Sequence, residues 1–255
     1  MSTVKATQST IEAPAAFMIQ GREVRLPVEV RDATAAVAYY LVPAPGVQEF
    51  IAATGLRVAQ VLPGRTLCTI GTMVYHDGDL GPYREMAVTF FVREPGARSV
   101  PLLGAALGLL RGSLGAYIHQ LPVDGEFTCE AGRIIWGFPK FVTEIAISTG
   151  SDEQTSVLSV GGRHVLTHTV RTGGGRSFSN RRQASYAYRN GVVYRTHSVM
   201  SGAGVGARLG GGRLELGTHP LARELRTLGL PKKALFSTFV VKMTGAFYAA
   251  EALGR

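Results

Sequence analysis

The stretch EVRLPVEVR, residues 23–31, alternates apolar and polar side chains: Val24, Leu26, Val28 and Val30 share one face, and Arg25, Pro27, Glu29 and Arg31 the other. A period of two marks a strand with one buried face, and Pro27, which has no N–H to donate, favours an edge position. The pattern recurs downstream. Segments 68–75, 86–93, 115–121, 126–131, 141–148, 155–161, 164–170, 184–188, 192–199 and 238–245 are short β-type runs bounded by Gly, Pro, Asn or Asp, with 32 glycines available for the turns. Two helices are predicted. One runs over DATAAVAYYLV (32–42), with Asp32 as its cap and Pro43 as its stop. The other covers Pro220 to Leu228, with Thr218 before it, Leu221, Leu225 and Leu228 on one face, and Gly229 closing it. Residues 1–18, rich in Ser, Thr and Ala, read as a flexible arm, and 19–255 as a single domain. Many strands with few helices predict a mainly β (α+β) fold, a closed or sandwiched antiparallel barrel rather than a doubly wound sheet.

Composition narrows the functional classes. At 45% hydrophobic and 18% charged, the chain has the balance of a soluble globular protein able to bury a reactive side chain by itself. The formal charge of +9 raises nucleic-acid binding. The basic residues are mostly dispersed, however, and the one local cluster (Arg171, Arg176, Arg181, Arg182) lies in a Gly/Ser-rich stretch without any nucleic-acid-binding motif. A positive balance also attracts anionic metabolites, which suits a carboxylate substrate. Cys68 and Cys129 form no CxxC and have no His at metal spacing, so reduced thiols are expected. The longest apolar run, Val100 to Leu110, falls short of the roughly 20 residues that span a bilayer. The N-terminus carries no signal pattern. A cytoplasmic protein with no membrane and no nucleic-acid partner is the expectation.

The segment richest in chemistry is GRIIWGFPKF, Gly132 to Phe141. Lys140 stands among Trp136, Phe138 and Phe141, directly after a proline that fixes its own φ and restricts Phe138. Two readings of the residues follow. The lysine snorkels from a strand end with its head in water, or it is buried among aromatics. Burial disfavours the ammonium, lowers the pKa and leaves a free amine that can attack a carbonyl carbon.

The string GRIIWGFPK resembles the GRE-x-x-G-[FY]-PK segment of the acetoacetate decarboxylase family, in which the lysine after the proline forms a Schiff base. LGPYRE (80–85) resembles that family's LG-x-Y-x-E, and GRE (21–23) its early arginine segment. LGTHPLARELRTLGLP (216–231) is similar to its closing helix region. The resemblance implies a cone-like β-barrel and Lys140 as nucleophile, with Glu85 as an acid/base residue beside it. It also implies Arg22 as a carboxylate binder, a cavity lined by Tyr83, Trp136, Phe138 and Phe141, no cofactor or metal, and assembly into homo-oligomers. The implied reaction is a Schiff-base lyase step on a small keto acid, most simply decarboxylation of a β-keto acid. An imine-forming aldolase or dehydratase and a non-catalytic binder of small ligands are the alternatives. Two departures bear on this choice. The family's second lysine, directly after the nucleophile, is Phe141 here, and the place of a second glutamate reads Ile70-Gly71.

Other candidates carry less. His119, on a strand leading toward Lys140, is a candidate proton carrier in the cavity. His76 and Asp77 are candidates for its mouth. His164 and His168 share one side of a strand as core or surface histidines. Pro231-Lys232-Lys233 reads as an exposed turn, and the glycines at 202–206 and 210–212, without a βαβ context for nucleotide binding, as a mobile loop.

Overall fold

The computed structural model describes residues 16–93 and 114–253. The apolar run at 100–110 and residues 1–15 of the expected arm lie outside them. Residues 16–18 of that arm are instead part of β1 (Ala16–Ile19), which pairs antiparallel with β2 (Arg22–Arg25) in a hairpin.

Seven strands close a barrel. In order around the ring they are β6 (Tyr83–Arg93), β5 (Arg65–Gly78), β3 (Val28–Pro43), β15 (Phe236–Leu253), β13 (Val192–Leu209), β12 (Arg176–Arg189) and β7 (Gly115–Val123), and β7 pairs back onto β6. The expectation of a closed, mainly β architecture is met, with one amendment. The β12–β7 pair is parallel, as is the pair between β7 and the short β8 (Lys140–Val142). The two-residue β4 (Arg57–Val58) adds to β6. A second sheet, in the order β14 (Gly212–Leu216), β11 (Arg163–Arg171), β10 (Glu153–Val160), β9 (Glu144–Thr149), packs against β3, β15 and β6. Three α-helices are present among the described residues: α1 (Ala44–Phe50), α2 (Glu126–Trp136) and α3 (Pro220–Thr227). None is long and apolar enough to cross a membrane.

Four segments differ from their sequence reading. Residues 23–31 are not one edge strand: the chain breaks at residues 26 and 27 into β2, paired with β1, and β3, which lies between β15 and β5. Residues 32–42 are the centre of β3, not a helix. The alanines that favour a helix are overruled by pairing on both edges, with β15 and β5, and by a period-two burial of Ala36, Ala38, Tyr40 and Val42. Residues 126–131 are the first half of α2, not a strand. Their buried set (Thr128, Ala131, Gly132, Ile135) recurs at helical spacing, and Gly137, in the left-handed region at φ 67°, ends the helix. The glycines of 202–206 lie in β13 rather than in a loop. Gly202 admits the Phe178 ring, and a side chain at Gly206 would collide with the Gly173 backbone.

The core has two main parts, on opposite faces of the barrel wall, and a third small cluster of Val30, Ala33 and Tyr75. On β6 the alternation is plain: Met86, Val88 and Phe90 join one cluster, Ala87 the other. The larger cluster takes in Tyr40, Ile70 and Tyr186 from the barrel, Leu158 and Leu166 from the second sheet, and Leu225 from α3. The smaller one gathers Val28, Ile118 and Leu121 from the barrel, Ile19 and Val24 from the hairpin, and Ile135 and Trp136 from α2. Lys140 belongs to this second face.

Candidate active site

Lys140 is delivered by a short relay from α2. After Gly137 turns the chain, the Phe138 N–H donates to the Gly132 carbonyl (3.1 Å). The Lys140 N–H donates to the Phe138 carbonyl (2.8 Å), closing a turn centred on Pro139. The Arg133 guanidinium then holds the Lys140 carbonyl (2.6 Å). Parallel pairing with β7 sets Lys140 opposite Leu121, so the lysine shares that residue's face and projects back under α2. Its stem runs so close to the helix that a Cβ on Gly132 would stand 2.5 Å from Lys140 Cδ and 2.7 Å from Cε. A glycine is required there for passage rather than for backbone freedom.

The acid comes from β6. Glu85, opposite Met73 on β5, points to the same face, and its Oε2 lies 2.8 Å from Lys140 Nζ. Both residues are buried, at 3% exposure for Lys140 and 5% for Glu85. Lys140 Nζ also donates to Thr128 Oγ1 (3.2 Å) and stands 4.9 Å from the centre of the Tyr83 ring. Tyr75 donates its hydroxyl to Glu85 Oε1 (3.3 Å) and stacks on Tyr83 at 4.3 Å. Trp136 and Phe138, themselves stacked, complete the apolar wall with Val28, Leu80 and Phe247. The cavity measures about 40 Å³, room for a few water molecules.

The electrostatics correct one expectation. Burial pulls the Lys140 pKa down, as the sequence reading requires, but the adjacent Glu85 charge and Tyr83 together outweigh it, and the pKa ends above its ordinary value. The lysine is therefore dry but charged, paired with its glutamate. Burial, with the Glu85 charge adding to it, pushes the Tyr75 phenol well up, and burial likewise raises Tyr83, so both stay neutral hydrogen-bonding groups.

The remaining candidates fall elsewhere. Arg22 is exposed. It lies over the Phe127 ring at 4.9 Å and donates to the Asp79 carbonyl, at the turn whose Gly78, Leu80 and Gly81 border the cavity. Phe141, one residue past the lysine, does not line the cavity, because successive strand residues face opposite ways. His119 sits across the barrel wall, stacked on Phe50 and 2.7 Å from Glu224 of α3. His76 binds the Thr34 hydroxyl (3.0 Å), and Asp77 pairs with Arg31. In the Pro231-Lys232-Lys233 turn, Lys232 is half-buried and donates to the Leu41 carbonyl. Tyr75 and Thr128 carry no motif in the sequence, and Gly132, the first residue of the GRIIWGFPK string, has no role assigned by it. Helical spacing places Thr128 and Gly132 on the face of α2 that carries Trp136, and period two puts Tyr75 in line with Met73 on β5. Those were the available signals.

The sequence model of the family described as acetoacetate decarboxylase matches residues 15–247. The chain belongs to that family. No curated protein matches the sequence itself. Among solved structures, an acetoacetate decarboxylase from Legionella pneumophila is 16% identical with a TM-score of 0.63, over 99% of this chain and 98% of that one. A second acetoacetate decarboxylase is 19% identical, covering 90% of each chain, with a TM-score of 0.64. The enduracididine biosynthesis enzyme MppR, solved in complex with pyruvate, is 14% identical with a TM-score of 0.59, over 91% of this chain and 92% of its own. At such identities the likeness establishes the fold of an acetoacetate decarboxylase family member and leaves its reaction to the residues of the cavity.

Proposed function

We propose that this protein is a Schiff-base-forming lyase acting on a small keto acid, with Lys140 as nucleophile and Glu85 as its proton partner. The observation that carries the reading is the buried 2.8 Å contact between Lys140 Nζ and Glu85 Oε2 at the wall of an aromatic-lined cavity. An ammonium cannot attack a carbonyl, so the first event is transfer of one proton across that contact, leaving a neutral amine and a carboxylic acid. In a site of low dielectric the neutral pair is far closer in energy to the ion pair than it is in water. The amine adds to the ketone carbon. Glu85 returns its proton to the departing hydroxyl, water leaves, and a protonated imine remains. In a β-keto acid the bond to the carboxylate then breaks, its electrons move into the imine to form an enamine, and carbon dioxide departs. Protonation at carbon and hydrolysis release the ketone and regenerate Lys140. The Tyr83 ring face, 4.9 Å from Nζ, favours the cationic imine.

Borohydride reduction in the presence of acetoacetate tests the first half. A stable adduct on Lys140 is expected, and its absence together with full turnover would reject the mechanism. A second reading, an aldolase or dehydratase using the same imine, is favoured by one observation. The position after the nucleophile is an apolar Phe141, so no second cation lowers the lysine pKa. Carbon dioxide evolved from acetoacetate, against carbon–carbon bond formation from pyruvate plus an aldehyde, separates the two.

A further inference from the structure

On the back of the two strands that carry Tyr75 and Glu85 lies a second and larger cavity, about 490 Å³ and widely open to solvent, between the barrel wall and strands β9 and β10 of the second sheet. Its volume falls in the range of metabolite sites. Strand alternation creates the arrangement. Val74 and His76 of β5 and Arg84 of β6 face this cavity, while Tyr75, Tyr83 and Glu85 face the other. The two cavities are thus separated by the thickness of a single sheet.

The chemistry of the lining is selective. Among the described residues its ionisable members are His76 and Arg84, with no carboxylate in the lining. Asp124, outside the lining, accepts the Arg84 backbone N–H at 2.7 Å and forms an ion pair with its guanidinium at 3.6 Å, longer than a good hydrogen bond. Gln154, 1% exposed, lies in the floor. Its Oε1 accepts from Thr149 Oγ1 at 3.3 Å, while its Nε2 is a buried donor without a partner among the described residues. Such a group costs roughly 1–3 kcal/mol unless something supplies an acceptor. Beside these donors, Phe239 and Val74 form an apolar wall.

We infer that this cavity is a second ligand site, taking an organic carboxylate with an apolar body. The carboxylate is met by Arg84, His76 and the Gln154 amide, and the body lies against Phe239. The site is distinct from the keto-acid cavity in residues and in position, and its occupancy does not depend on whether Lys140 forms an imine.

Phenylacetate and its neutral isostere phenylacetamide are the probes, added to ¹⁵N-labelled protein and titrated in parallel by calorimetry. Expected are saturable shifts of the amides around His76, Arg84 and Gln154 with phenylacetate, retained in Lys140→Ala, with phenylacetamide weaker by about ten-fold or more. His76→Ala, at an exposed position where the fold is not at risk, and Gln154→Leu should each weaken phenylacetate by several-fold. Absence of saturable shifts, shifts confined to the Lys140 cavity and lost in Lys140→Ala, or equal binding of the amide would each overturn the inference.

Discussion

Among the described residues, Lys140 and Glu85 are the two ionised groups that the fold has removed from water, and each is stable in that place largely because of the other. This makes single substitutions informative. In Glu85→Gln the attraction that raises the Lys140 pKa is gone while burial remains, so the amine becomes neutral at lower pH than in the wild type. Imine formation itself then lacks the acid that protonates the departing hydroxyl, so borohydride trapping of a keto acid at pH 7 and turnover should slow together, by about 10²–10⁴-fold. Trapping and turnover at wild-type rates would mean that Glu85 moves no proton in the reaction. The paired Lys140→Met, Glu85→Leu variant addresses stability. Each single change strands a buried polar partner at a cost of about 3–5 kcal/mol, and the double change removes both, so its loss of unfolding free energy should fall well below the sum of the two single losses. Denaturant titration of the four proteins measures that coupling. Although the aromatic cluster around it left a snorkelling lysine open, Lys140 was legible in the sequence because GRIIWGFPK resembles the family segment that carries the Schiff-base lysine. Its charge state was not, since the glutamate that decides it is 55 positions away and meets it only when β6 and β8 flank β7.

At the level of elements, α2 governs the site more than any strand does. It supplies Thr128, Trp136 and the Gly132 gap through which the lysine passes. Gly132→Ala is therefore predicted to act against helix propensity. Alanine stabilises a helix interior by about 1 kcal/mol relative to glycine, yet its Cβ would press into the Lys140 stem and move Nζ off Glu85. Turnover should fall by about 10²-fold, as for reacting groups displaced by an ångström, with the protein still folded by circular dichroism. Unchanged rates would show that the lysine stem has another route. The same helix explains what periodicity could and could not reveal. Residues 126–131 resemble a strand because Phe127, Thr128 and Cys129 are good strand formers. The deciding signals, Glu126 in the first turn and Gly137 as left-handed terminator, lie at the ends of the segment rather than within it. The reverse error at 32–42 has the opposite cause. Alanine there serves close packing in a strand paired on both sides, a property of the sheet that local propensity does not record. Where one face alone is buried, as in residues 28–31 of β3, alternation read the strand, but it also carried that strand back to Glu23 across Pro27, where the chain divides into β2 and β3.

For the molecule as a whole, the join between the barrel and the second sheet sets a limit on stability in acid. His168 of β11 faces this join, opposite Ser156 of β10 and Leu214 of β14, at 1% exposure, and neither ring nitrogen has a hydrogen-bond partner among the described residues. Burial alone pulls its pKa down from 6.5 to about 4. The unfolded chain therefore takes up a proton near pH 6.5 while the folded chain resists until about pH 4. The contribution is fully present above pH 6.5 and is lost as the pH falls between those values, amounting to on the order of 2 kcal/mol by pH 5. His168→Leu fills the same apolar surroundings without a titrating ring. Unfolding free energies of the two proteins, measured at pH 7 and pH 5, should show the wild type losing about 2 kcal/mol more than the variant over that interval. Carboxylates elsewhere, such as Glu153 held low by Arg213, lose their native-state advantage in both proteins alike and cancel in the comparison. Equal losses in wild type and variant would place the acid sensitivity of the molecule outside the join between its two sheets.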